Sequence, residues 1–451
     1  MTIAAIATPP GASALGVLRL SGPAALEVAG RFLQTAGSGL APRLATLGRA
    51  SFKGAVLDQV IAVYYPAPRS PTGEDLVEIT GHGSPYVLGR LLEAALDSGA
   101  RAALPGEFTQ RAFLNGRLDL AQAEAVCDLI RAGTGLAHRA ALEQLEGGLS
   151  RAVEAAEAPI MDLLVRVEAT LDHPEEDVPR VEAGKACAAM LSARGRVLEL
   201  ARTFGSGRLL TEGARVCIAG PPNAGKSSLL NALLGTERAI VCPTPGTTRD
   251  TLEEACDLGG IPAVLIDTAG LTDRPEGLAE AQGQGRANRA LERCDLALLV
   301  LDGSRPQDEE DKAASRLVLD KARSNGRPVI RVLNKADLPR ARGLPRCDLD
   351  VSAKERTGID ALVLRAAGSL AGEPAQDAGA TVTSARHHAA LQAAASELAS
   401  AARATEERPG AWEELAASGL RAALRALDGI TGKAVEEEVL SGIFSRFCVG
   451  K

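Results

Sequence analysis

The chain has 451 residues, too many for one compact core, so two or three domains are expected. Hydrophobic residues make up 46% and charged residues 24%, as in ordinary folded domains, while aromatics at 2% leave the cores to Ala, Leu and Val. The net charge of −7 excludes a uniformly basic surface, so a nucleic-acid partner has to be held by local patches or through a second protein.

The start, MTIAAIATPPG, lacks the basic n-region and long apolar core of a secretory signal. VLRL (17–20), VIAVYY (60–65) and DLVEIT (75–80) read as strands between Gly and Pro turns, and SPYVLGRLLEAALDSG (84–99) as a helix ending at a glycine. From Leu118 the sequence loses most of its prolines. Its Leu, Ile and Val then recur at three- and four-residue intervals, the pattern of long amphipathic helices. The acidic DHPEEDVP (172–179) reads as a solvated loop rather than a metal site. Strand and helix alternate from Val216 to about Gly372, as in a doubly wound parallel sheet, and helical texture returns after Pro374. The expected fold is therefore multidomain α/β. An α+β amino-terminal domain (1–118) precedes an all-α domain in two parts (119–210 and 374–451), interrupted by an inserted Ras-like P-loop domain (211–373). No run approaches the roughly 18 apolar residues of a membrane span. The eight cysteines are scattered without a CxxC pair, which excludes zinc-ribbon spacing and gives no disulfide framework; a reducing cytoplasm fits.

The P-loop is Gly220-Pro-Pro-Asn223-Ala224-Gly225-Lys226-Ser227-Ser228, between the strand RVCIAG and the helix SLLNALLG. Glycines let backbone N–H groups wrap phosphates, Lys226 supplies a cation to the terminal phosphates, and the Ser227 hydroxyl suits Mg2+. Asn334-Lys335-Ala336-Asp337 follows the strand PVIRVLN; a buried carboxylate at 337 accepts from the N1–H and exocyclic amine of guanine, which adenine cannot offer. Ser352-Ala353-Lys354 supports the base. Asp267-Thr268-Ala269-Gly270 ends the strand AVLID, with Asp267 directed toward Mg2+ and Gly270 toward the γ-phosphate. In the segment Gly246-Thr247-Thr248, Thr248 closes the Mg2+ shell. These five elements in this order specify GTP; a P-loop kinase does not explain NKAD. The residue after DTAG is Leu271, whose aliphatic side chain cannot polarise an attacking water. A potassium ion in a cage of oxygens would supply the missing stabilisation. Its ligands would be the Asn223 side chain, the carbonyls of Cys242-Pro243-Thr244-Pro245-Gly246-Thr247, and phosphate oxygens. Asn223 has a plainer explanation too, because Asn tolerates a left-handed backbone.

With ATPPGASALGVLRLSG, TGEDLVEITGHG, PGEFTQRAFLNGRLDLAQAEAVCDLI and the terminal IFSRFCVGK, the whole chain resembles the MnmE (TrmE) family of tRNA-modification GTPases. That resemblance implies a folate-binding amino-terminal domain that also dimerises, making the protein a homodimer. It implies a flavoprotein partner, MnmG, in a heterotetramer, with FAD and NADH in the partner. The implied reaction installs an aminomethyl or carboxymethylaminomethyl group on C5 of the tRNA wobble uridine. Its one-carbon unit comes from a tetrahydrofolate derivative, the 5,10-methylene or 5-formyl form. Carried over by motif, the folate contacts are Arg19, Glu78, Arg117 and Lys451; position 117 is commonly Lys in the family, and an Arg fork changes the donor geometry there. The family's water-orienting switch II glutamate matches Glu280 best, with Glu276 the alternative. Cys448 is either a reactive thiol or a buried one. His82 and the pair His387-His388 have no metal-ligand companions in sequence and are expected to be structural. Two other readings compete: a ribosome-assembly GTPase switch, and a free-standing folate-dependent transferase regulated by GTP.

Overall fold

The computed structural model describes residues 1–35, 39–172, 181–235, 253–268, 288–371, 380–408 and 410–451. It divides into two compact units, residues 1–127 with 428–451, and residues 128–427.

In the first unit the strands are β1 (Ile3–Ile6), β2 (Ser13–Ser21), β3 (Leu33–Thr35), β4 (Thr46–Phe52), β5 (Ala55–Tyr65), β6 (Leu76–Gly83) and β7 (Arg101–Ala102). They form one sheet in the order β3-β4-β5-β6-β2-β1-β7, antiparallel except for the β1/β7 pair. Alternation along β2 buries Leu18 and Leu20 and turns Arg19 to the other face, opposite Glu78 of β6. Helices α1 (Ala25–Phe32) and α2 (Pro85–Asp97) cover the buried face through Val28, Ala29, Leu88 and Leu91. Pro at the first turn of α2 leaves no helical N–H wasted. Next comes α3 (Glu107–Leu114), whose N-cap Gly106 has φ 68°; a Cβ there would stand 2.6 Å from the Phe444 carbonyl, so only glycine allows the approach.

The long-helix texture after Leu118 corresponds to α4 (Leu120–Arg131), α5 (Gly135–Leu145), α6 (Gly148–Asp172), α7 (Ala183–Arg202) and α8 (Phe204–Glu212). The acidic segment after Asp172 lies outside the described residues. A second sheet then runs β13-β12-β11-β8-β10-β9. Its strands are β8 (Ala214–Ala219), β9 (Glu253–Leu258), β10 (Ile261–Asp267), β11 (Leu296–Asp302), β12 (Val329–Asn334) and β13 (Leu349–Asp350). All pairs are parallel except β9/β10. Every residue of β11 is buried, as expected of a central strand covered on both faces. Leu296, Leu298 and Val300 join the core that includes Leu229 and Leu233 of α9 (Lys226–Leu234), while Leu299 and Leu301 pack with Ala314 and Val318 of α10 (Glu309–Ser324). Each such Leu or Val contributes about 2 kcal/mol by burial. Helix α10 starts from a reciprocal capping box between Asp308 and Asp311.

After α11 (Ile359–Ala371) the chain returns to helices α12 (Ala385–Glu407), α13 (Trp412–Thr431) and α14 (Glu437–Phe444). The two flanks of the α/β segment meet: the Val382 N–H donates to Thr203 Oγ1 at 2.9 Å, and Thr211 Oγ1 donates to the Thr383 carbonyl at 3.5 Å. Among the described residues no helix is long and apolar enough to cross a membrane.

Candidate nucleotide site and amino-terminal cluster

The parallel strands of the second sheet end together, and at that edge the short motifs collect. Gly220 follows β8 with φ 149°, and a Cβ there would lie 2.2 Å from the Val300 carbonyl. Asn223 has φ 59° and an exposed side chain, so its left-handed backbone already accounts for an asparagine. Gly225 has φ 89° and passes so close to Asn334 that a Cβ would meet Nδ2 at 2.2 Å. The loop then enters α9 at Lys226, which is 7% exposed. Its ammonium donates to the Gly220 and Pro221 carbonyls at 3.1 and 2.7 Å. Burial pushes its pKa down and the nearby Asp267 carboxylate pushes back. A cation held, among the described residues, by loop carbonyls is ready to trade them for phosphate oxygens, which form stronger, charge-assisted bonds. Ser228, next to it, is exposed.

Ser227 Oγ donates to Asp267 Oδ2 at 2.7 Å, while Asp267 Oδ1 is buried with no hydrogen-bond partner among the described residues. An orphaned carboxylate oxygen beside a hydroxyl is a hard-oxygen set, and it fits Mg2+. Thr268 is committed differently: its hydroxyl and its N–H both donate to the Ile218 carbonyl, at 2.9 and 3.2 Å, tying the end of β10 to β8.

At the base side, Asn334 is a brace. Its Nδ2 donates to the Ala224 carbonyl at 3.0 Å, and its Oδ1 accepts from the Ala353 N–H at 3.0 Å, linking the P-loop to the Ser352-Ala353-Lys354 turn. Lys335, with φ 64°, reaches Asp302 Oδ2 at 2.6 Å. Asp337 accepts from Ser352 Oγ at 2.5 Å, and that bond holds its pKa below the ordinary carboxylate range. Ionised, it only accepts, which suits the N1–H and amine of guanine. The sequence reading takes this carboxylate as buried; the structure has it exposed, together with Ala336. A bound base would have to cover it. Lys354 is exposed, 3.5 Å from Glu355. Cys242, Pro243, Thr244, Pro245, Gly246, Thr247, Thr248, Ala269, Gly270, Leu271, Glu276 and Glu280 lie outside the described residues.

Asp302 is a residue the motif reading misses. Burial raises its pKa, but bonds from Lys335 and Ser304 outweigh this and lower it, fixing the lysine that follows Asn334. The available signal is an acid ending the apolar strand LALLVLD, as Asp267 ends AVLID.

In the first unit, Arg19 Nε and Nη2 donate to Glu78 Oε1 at 2.9 and 2.6 Å, leaving Oε2 for other donors. The pair is 19% and 24% exposed, so it is neither fully solvated nor sealed. Arg19 Nη1 also donates to the Gly450 carbonyl at 3.4 Å, and the Phe108 N–H donates to the Lys451 carbonyl at 3.2 Å. Gly450, with φ 95°, is glycine because a Cβ would lie 2.5 Å from the Ile6 carbonyl. Residues 19, 78 and 450–451 thus share one cluster. Arg117 is exposed, its N–H donating to the Ala112 carbonyl at 2.8 Å. Cys448 is exposed, which removes the buried alternative. Behind the cluster stands a network also missed in sequence: buried Glu107 accepts from Arg101 and Arg111, and Arg111 reaches Glu74 at 2.7 Å.

His82 is exposed, with Nδ1 2.8 Å from Asp58 Oδ1. His387 is buried, with Nε2 2.8 Å from Arg386, and His388 stacks on Phe204 at 4.5 Å. Among the described residues no group of three or more His, Cys, Asp or Glu is placed to hold a metal ion.

A family model described as the MnmE helical domain matches residues 120–448, and one described as the GTP-binding protein TrmE N-terminus matches residues 2–117. The tRNA modification GTPase MnmE of Chloroflexus aurantiacus is 45% identical over all of this chain and 99% of its own length. That of Thermus thermophilus is 44% identical, again over all of this chain and 99% of its own. Among solved structures, Era of Aquifex aeolicus is 26% identical, with a TM-score of 0.28, covering 41% of this chain and 66% of that one.

Proposed function

The chain belongs to the MnmE family of tRNA-modification GTPases, and on that footing we propose that it is the GTP-hydrolysing component of the wobble-uridine C5 modification complex. In this reading a homodimer works with the MnmG flavoprotein on tRNA in the cytoplasm. The reaction adds an aminomethyl or carboxymethylaminomethyl group whose carbon comes from tetrahydrofolate, with FAD and NADH in the partner. The observation that carries the reading is the meeting of Arg19, Glu78 and the chain end in one cluster. A partly buried carboxylate with a free oxygen suits pterin N–H groups, and the Lys451 ammonium with Arg117 suits the glutamyl tail of a folate.

For GTP, Lys226 and the loop amides would take the phosphates, and Asp337 the base. Ser227 and Thr248 would hold Mg2+, with Asp267 acting on it through water, and the ion would neutralise charge on the β- and γ-phosphates. Leu271 leaves water orientation to another residue, and we assign it to Glu280. Asn223 and the carbonyls of 242–247 would hold K+, which adds positive charge where negative charge builds up. The deciding experiment is nucleoside analysis of tRNA from a strain lacking this gene. The expected result is loss of the C5 substituent at the wobble uridine, restored by the unsubstituted gene and not by Arg19→Ala. Unchanged wobble uridines overturn the reading.

A further inference from the structure

A chain of net charge −7 concentrates cations in one stretch of its α/β segment. Between positions 321 and 346 stand Lys321, Arg323, Arg327, Arg331, Lys335, Arg340, Arg342 and Arg346 against the single acid Asp337. The structure folds part of this stretch around a cavity of about 340 Å³ whose wall includes Arg323, Arg327, Arg331 and Arg346. A second cavity of about 180 Å³ shares Leu319 and Arg331 with it and adds Lys312 and Arg316. Positions 312, 316, 319 and 323 follow one another at steps of four, three and four, so one face of α10 lines both cavities over about 16 Å.

Part of the charge in this groove is committed, Lys312 being paired with Glu309 at 2.7 Å, and part is not. Among the described residues the guanidinium groups of Arg323 and Arg346 have no ion pair, while Arg331 reaches only the Arg346 carbonyl, at 3.5 Å. Arg327 stands 3.9 Å from Asp295. The acid in the wall, Asp348, accepts from the Arg331 N–H at 2.8 Å and so is engaged with the main chain. Gln307, in the second cavity, has its Nε2 buried with no partner among the described residues, a donor awaiting an acceptor. Interaction with the carboxyl end of α10 explains Arg323 alone; Arg327, Arg331 and Arg346 lie beyond that helix. The groove is not the nucleotide site: Val329 and Asp348 mark the amino ends of β12 and β13, whereas Asn334 and Asp337 follow the carboxyl end.

We infer that this groove binds the sugar-phosphate backbone of the tRNA substrate, giving an acidic protein the local patch that phosphate neutralisation requires. The inference rests on tRNA being the substrate. Its phosphate contacts are backbone contacts, so they position the RNA without reading its sequence.

The test uses the full chain and an unmodified tRNA transcript, with affinity measured by fluorescence anisotropy over a range of salt concentrations. Arg316, Arg323 and Arg346 are exposed, so replacing all three by Ala spares the core. The expected result is at least about a tenfold loss of tRNA affinity and a salt slope smaller by about two to three. Changing all three to Lys should retain most of the slope, and GTP hydrolysis without tRNA should be unchanged in both variants. Equal affinity and slope in the Ala variant overturn the groove while leaving the substrate intact. Loss of flavoprotein binding with tRNA affinity preserved overturns it in favour of a protein-docking surface. A fall in GTP hydrolysis attributes the effect to unfolding and also overturns it. If the unsubstituted chain binds no tRNA, the groove falls, while the substrate reading is decided separately by the wobble-uridine analysis.

Discussion

The nucleotide site and the amino-terminal cluster are built by opposite means. At the nucleotide site each motif is a run of neighbours, and the parallel sheet delivers the runs to one edge because strands β8, β10, β11 and β12 all end there. The amino-terminal cluster gathers single residues, and the contact from Arg19 to Gly450 spans 431 positions. A site made of runs announces its chemistry in sequence. A site made of single residues announces nothing until the chain is folded, and only the family resemblance points to it.

The sharpest way to break the comparison is at the catalytic step, where the effect should be largest. Glu280→Ala is expected to lower GTP turnover by at least about a hundredfold while leaving GTP affinity nearly unchanged, since an interaction made only in the transition state touches the rate alone. Turnover and nucleotide affinity measured on the same preparation decide it: a normal rate moves the role to Glu276, and a large affinity loss removes it from the transition state. A smaller effect is expected from the monovalent ion. At matched ionic strength, hydrolysis in potassium should exceed that in sodium by about tenfold or more, and Asn223→Ala should lose that response. Equal rates in the two salts would refute the potassium cage and leave the left-handed backbone as the whole reason for Asn223.

The order of the P-loop, DTAG, NKAD and SAK motifs gives the fold of the α/β segment and the class of nucleotide, because phosphate wrapping and base reading are local chemistry. What each side chain does within a motif is less legible. Asn334 spends its amide on Ala224 and Ala353, and Thr268 spends its hydroxyl on Ile218, so both brace the loops. Asp302, outside every motif, is what holds Lys335. The exposure of Asp337 could not be read from a strand-end position at all, because it depends on what covers the edge. Glu107 and Arg111 belong to the family-marking stretch PGEFTQRAFLNGR, yet their pairing with Arg101 and Glu74 needs the sheet and α3 together.

In the amino-terminal cluster, Arg19→Ala leaves Glu78 partly buried without its cation. A folate affinity lower by about tenfold is expected, in line with about 1 to 3 kcal/mol for an interaction of that kind. Isothermal titration with a tetrahydrofolate derivative measures it, and an unchanged affinity would take the pair out of the site. Glu107 provides a pH signature. Burial pushes its carboxyl up, but bonds from Arg101, the Leu104 N–H and Arg111 outweigh that and hold it at about 2. The folded pKa is depressed, so the contribution is fully present above the unfolded value of about 4.5 and is lost as pH falls through about 2. Hydrogen exchange of the α3 amides between pH 5 and 2 should show that loss in the unsubstituted protein. In Glu107→Gln, protection should already be low at pH 5 and change less; parallel profiles in the two proteins would refute the network.

The smallest expected effect tests whether the two regions are separable at all. The Thr203–Val382 contact brings the chain before the α/β segment within hydrogen-bond reach of the chain after it, and it survives the excision, whereas the Thr211–Thr383 contact is removed with the segment. An insertion with adjacent ends can be removed without stretching what remains. Excising residues 211–373 and joining the ends through a short Gly-Ser linker should therefore leave a folded protein whose folate affinity stays within about twofold of the full chain. Helix α8 loses its packing partners α11 and β10, and Thr134 loses the Gly260 carbonyl, so some loosening of α5 and α8 is expected. Circular dichroism and folate titration read the two consequences separately. Retained helix with retained affinity means that the nucleotide site is a module set into a scaffold with its own chemistry. A collapsed spectrum means that the helices need the second sheet, and the inserted-domain architecture fails. Retained helix with lost affinity means that folate binding depends on the α/β segment, and the separation between a site of runs and a site of single residues would not hold in the working protein.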